Sequence, residues 1–224
     1  MITISGYGKA TSSGSITMST SNAGKAGVSG FLSLESGTSS YGNTGSLSIT
    51  TGSSTMGKGG DMILRIGEGN RRTGGNFSLV AGKTTDPDGN TGGQITMDTG
   101  FSLWTSSGMI RMRTANSGAA GVSGAIHLRT GTTSFGTSGV FTLDTGHSTM
   151  GHGGDILLSV GRGNSGDGGD VRISAGETTA AKTKGGDIVF TAGLGSSQAG
   201  GDGGDGGHFQ LFGGEAHGGH EFDN

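Results

Sequence analysis

Gly45–Gly60 reads GSLSITTGSSTMGKGG, and much of the chain is this stretch rewritten. Numbered from its opening glycine, positions three and five are apolar (Leu47, Ile49), position seven is small (Thr51) and position eight is glycine (Gly52). Apolar residues two apart lie on one face of a pleated backbone, so Leu47–Thr50 reads as a short strand. Ser53–Gly60 reads as a Gly/Ser/Thr return. The same frame opens at Gly14, Gly30, Gly45, Gly60, Gly75, Gly93, Gly108, Gly124, Gly139, Gly154, Gly169, Gly186 and Gly207, most often 15 residues apart. A fixed period with extra residues confined to one part of the unit is the mark of stacked repeats.

A longer period lies above the short one. Val28-Ser29-Gly30 returns 94 residues later as Val122-Ser123-Gly124, and Ser54-Thr55-Met56-Gly57 returns as Ser148-Thr149-Met150-Gly151. The chain therefore reads as two tandem blocks. The excursions Lys83–Asn90, which holds the single Pro, and Gly200–Gly206 fall in return segments, where insertion leaves the strands intact.

Composition narrows the classes. Of 224 residues 53 are glycine, none is cysteine, and only 29% are apolar. So low an apolar content would by itself suggest disorder; the regular placement of Leu, Ile, Val, Met and Phe argues for order. Disulfides are excluded. A net charge of −3 gives no basis for a nucleic-acid partner. No apolar run is long enough to insert in a membrane. Ile2 and Ile4 fit positions three and five of a unit without its opening glycine, so the expectation is a segment of a longer array.

These features predict an all-β fold: a parallel β-solenoid of about 13 coils with a repeat of ~15 residues and a flattened two-sheet cross-section. The array spans 1–212, and 213–224 reads as a flexible Gly-rich tail. Glycines at positions one and eight would supply the positive φ of tight corners. A weaker apolar mark at position twelve (Tyr41, Met56, Trp104, Phe135, Met150) suggests a second strand on the return limb, its side chains filling the second sheet's core or, if exposed, stacking on sugars. Burial of so few apolar side chains cannot alone order fifteen residues, so the fold requires a hydrogen-bond ladder from coil to coil. The open ends of such a ladder would invite self-association.

Several outward positions are candidate sites. Position two carries Asp155, Asp170 and Asp187 in successive units, then His208. Stacked ~4.8 Å apart, these carboxylates could hold calcium, a hard cation that takes oxygen ligands; the competing reading is that each Asp caps the Gly-Gly turn before it. Position six carries Asp98, Arg113, Arg129 and Asp144, a charge ladder that would fix register. On the return limb Thr38, Ser40, Ser53, Thr55, Thr132, Ser134 and Thr149 form columns of hydroxyls, the array expected of a face that binds ice, mineral or polysaccharide. His217 and His220, with Glu215 and Glu221, are a candidate metal set in the tail. No Ser/His/Asp set or carboxylate pair falls on compatible units, so no catalytic residue is assigned.

With the unit G-x-φ-x-φ-x-(T/S/A)-G in hand, and with runs such as Ser174-Ala175-Gly176-Glu177-Thr178-Thr179, the chain resembles the Gly/Ser/Thr-rich tandem-repeat surface proteins of microalgae and similar protists. The resemblance implies a secreted or cell-surface β-solenoid and brings no catalytic residues. Arg111, Arg113 and Arg129 depart from that family's bland exterior and would mark a contact face. The expected function is thus a non-enzymatic extracellular structural or adhesive rod. Its partners would be copies of itself or an extended surface, and the alternative is the ice-, mineral- or polysaccharide-binding lattice face.

Overall fold

The computed structural model describes residues 3–7, 12–71, 73–197 and 203–215. It divides into two units, Met1–Arg111 and Met112–Asn224. Ile2, Gly200–Asp202 of the Gly200–Gly206 excursion, and His217, His220 and Glu221 of the tail lie outside the described residues.

The fold overturns the expected architecture. Among the described residues there is no β-strand and no helix, so the chain is neither all-β nor a β-solenoid. The 15-residue period is real, but it organises loops rather than a ladder. In each unit the opening glycine folds back onto the end of the preceding one. The Gly93 N–H donates to the Gly82 carbonyl at 2.8 Å, Gly108 to Gly100 at 3.0 Å and Gly186 to Gly176 at 2.9 Å. One such bond closes a loop; it does not propagate into a sheet. Glycine gives a physical reason, since each one in a strand costs about 0.5–1 kcal/mol relative to alanine. The Ser and Thr hydroxyls add a second, because they compete for the backbone locally. Thr20 Oγ1 donates to the Gly30 carbonyl at 3.2 Å, and Thr145 Oγ1 to that of Gly154 at 3.0 Å.

Position seven makes the main contact between successive units. Thr51 packs on Gly60, Thr99 on Gly108 and Thr130 on Gly139. Where position seven is larger the fit is tighter. A methyl built on Gly75 would stand 2.7 Å from Ile66 Cγ2, and one on Gly169 would stand 2.8 Å from Val160 Cγ1. These are the same positions 94 residues apart, so the duplication is kept in the packing. Glycine at position one therefore serves close approach, not a corner. The positive φ values fall elsewhere, on return-loop glycines such as Gly42 (113°) and Gly136 (102°), again 94 residues apart.

The apolar positions three and five do not form a core. Among the described residues no side chain is buried, and even Ile66 and Val160 remain 47% exposed. Leu47 and Ile49 are 62% and 61% exposed. Among the described residues one ring contact joins successive units: Phe190 stacks on Phe209 with centroids 5.9 Å apart.

Position twelve is likewise not a second strand. It is the apex of the return loop: the chain bends at Tyr41, Met56, Trp104, Phe135 and Met150, and each side chain projects into solvent.

Candidate functional site

The expected carboxylate column does not assemble. Asp170 accepts from the Arg172 guanidinium at 2.8 Å, and Asp187 from Lys184 at 2.7 Å. Asp61 takes Lys58 in the same way, at 2.7 Å. Each pair lies within three residues of sequence and both partners are exposed. Such pairs are worth at most about 1 kcal/mol, but each commits one oxygen of its carboxylate to a cation already at hand. Asp155 instead lines an open hollow of about 1240 Å³ with Thr145, Ile156, Leu157 and Thr191. Among the described residues no cluster of three His, Cys, Asp or Glu side chains is placed to hold a metal. Calcium at Asp170 and Asp187 must compete with Arg172 and Lys184. We expect calorimetric titration to give a dissociation constant no tighter than about a millimolar, the weak end of calcium sites; micromolar binding would contradict these pairings.

The charge ladder at position six is also absent. Asp98, Arg113, Arg129 and Asp144 take no part in the three ion pairs among the described residues. Thr38, Ser40, Ser53, Thr55, Thr132, Ser134 and Thr149 are all exposed. The flat sheet that would set their hydroxyls in columns is not formed, so they stand as separate loop residues.

A local network of side-chain hydrogen bonds lies in the excursion that carries the single Pro. Asp86 Oδ1 accepts the Asp88 N–H at 2.9 Å, and its other oxygen accepts the Asn90 side-chain amide. Thr84 Oγ1 accepts the Asp86 N–H at 3.2 Å. This is an Asx turn, in which a carboxylate replaces a backbone acceptor. The Asp88 N–H first, and the Asn90 amide second, hold the Asp86 carboxyl below its ordinary 3.8. A lowered pKa means that the folded turn favours the charged form. Its contribution is present above the ordinary value and is lost as pH falls through the lowered one. The Asp88 amide resonance should therefore titrate with a midpoint below 3.8. Asp86→Asn should remove that titration, and a midpoint at or above 3.8 would contradict the geometry.

The loop apices are the feature that sequence reasoning misplaced. Tyr41 is 99% exposed, Trp104 91% and Phe135 97%. Two of them sit on braced turns. Ser102 Oγ accepts from the N–H groups of Trp104 and Thr105 at 3.3 and 3.1 Å. Thr133 Oγ1 donates to the Phe135 carbonyl at 2.9 Å. The signal was present in the sequence: Gly42 and Gly136 follow their aromatics directly, as in a turn, where a strand would continue the alternation.

Among the described residues no helix is long and apolar enough to cross a membrane. No known protein family, curated protein or solved structure matches this chain.

Proposed function

We propose that the chain is a non-enzymatic structural or adhesive module of the cell exterior that completes its packing by associating with copies of itself. One observation carries this reading. The chain repeats a pair of large apolar residues in unit after unit, and among the described residues it leaves each of them at least 48% exposed. Water-exposed apolar surface on that scale is an interaction surface. A periodic stripe is best matched by another copy with the same period. The cell-exterior placement rests on the resemblance to protist surface proteins, with no contribution from the geometry. Sedimentation velocity from micromolar to hundred-micromolar protein tests the proposal: the weight-average sedimentation coefficient rises with concentration. A constant value across that range overturns it.

A further inference from the structure

The return-loop apices differ in their surroundings, and Met56, two residues from Lys58, and Met150, between His147 and His152, are apolar but not aromatic. Lys25, Arg71 and Asp86 are charged, Ser165 lies between Arg162 and Asp167, and Ala180 lies among Glu177, Lys182 and Lys184. Tyr41, Trp104 and Phe135 lie instead in stretches without any charge: 36–57, 99–110 and 130–143 respectively. Those stretches are rich in hydroxyls. Tyr41 is bracketed by Ser39, Ser40 and Thr44, Trp104 by Ser102, Thr105 and Ser106, and Phe135 by Thr133, Ser134 and Thr137.

We propose that the Tyr41, Trp104 and Phe135 apices are binding points for a neutral polysaccharide. A pyranose ring presents C–H bonds on its face and hydroxyls at its edge. The negative face of an aromatic ring attracts those C–H hydrogens, and the flanking Ser and Thr hydroxyls meet the sugar's edge. Nucleic acid and anionic polymers need cations beside the stacking ring, and these three loops have none. The loop backbone that carries two of the rings is braced before binding, at Trp104 by Ser102 and at Phe135 by Thr133 and the left-handed Gly136. Preorganisation spares the ordering cost that a loop otherwise meets on binding. A polymer can engage several apices in turn, so weak single contacts add along its length. This use of the apices is separate from the apolar stripe at positions three and five.

Native gel electrophoresis through hydroxyethyl cellulose, mixed-linkage β-glucan or galactomannan tests the proposal, with carboxymethyl cellulose as the charged control. At least one neutral polymer retards the full chain, and the charged one retards it less. Tyr41→Ala, Trp104→Ala and Phe135→Ala each weaken retardation about two- to tenfold, the range of one aromatic contact. The triple variant migrates as though no polymer were present. Trp104 is the single tryptophan, so its emission shifts to the blue on adding the retarding polymer. The double variant Ile49→Asp/Leu143→Asp, altered in the stripe alone, keeps full retardation; this separates the proposal from self-association. Retardation by none of the neutral polymers, equal retardation by the charged one, or an unaltered triple variant overturns it. So does a triple variant that loses self-association while keeping its retardation, which would assign the apices to contacts between copies.

Discussion

Ile49→Asp combined with Leu143→Asp is expected to abolish the rise of sedimentation coefficient with concentration. The two residues are position five of equivalent units, 94 residues apart, so the pair disables the stripe once in each block. Ile49 is 61% exposed and Leu143 68% exposed in the single chain. Most of the transfer free energy of each side chain is therefore still available to an association. Complete burial of an Ile or Leu is worth roughly 1.5–3 kcal/mol, so about half of that remains per residue, and a self-complementary interface counts each residue twice. Two substitutions then weaken association at least about a hundredfold. A carboxylate adds to the effect, because its desolvation opposes burial.

The partner variant Ile63→Asp/Leu157→Asp places the same charges at position four of equivalent units. Ile63 is more exposed than its neighbour Met62, and Leu157 more than Ile156. These positions lie off the stripe, so their charges should leave association within about threefold of the parent, the scatter expected of surface substitutions. Equal losses in the two double variants would show that net charge, not the stripe, governs association.

The stripe is also where sequence and structure part company. The period, the duplication and the identity of each unit's apolar pair were legible in the spacing alone, and the structure keeps all three. Ile66 and Val160 repeat their close approach to Gly75 and Gly169 across the 94-residue step. What the spacing could not supply was the partner of each backbone group. Period-two alternation says which side chains share a face; it does not say that neighbouring units donate hydrogen bonds to one another. Here the donors turn inward to close loops, as Gly93 does on Gly82, and the ladder is not built. The carboxylate column needs the same ladder. Asp170 and Asp187 align only if units stack; without stacking, each takes the nearest cation along the chain. The Lys-Gly-Gly-Asp spacing of Lys58–Asp61 and Lys184–Asp187 would have revealed that pairing from sequence. Of the two readings open for the position-twelve aromatics, the core one needs a second sheet, and among the described residues none forms.

Dilute protein is expected to show no cooperative melting. A compact protein of 22.0 kDa exposes about 9,300 Å² and its extended chain about 31,900 Å². This chain exposes 23476 Å². It therefore removes from water only about a third of the area that a compact fold would remove. The heat-capacity change and the urea dependence of unfolding both scale with that area, so each should be about a third of the value usual for this length. A compact chain of 224 residues would absorb roughly 160 kcal/mol at its midpoint. Calorimetry of the dilute chain should show no such peak, and circular dichroism should drift with temperature without a step.

Raising the concentration changes the expectation, because association stabilises whatever ordered state it favours. A transition should then appear, and its midpoint should climb with protein concentration. Ile49→Asp/Leu143→Asp should suppress it at the same concentrations. A sharp transition of full enthalpy in the dilute parent, independent of concentration, would mean that a single chain builds a core of its own. The uncovered stripe would then lose its claim to be an interface.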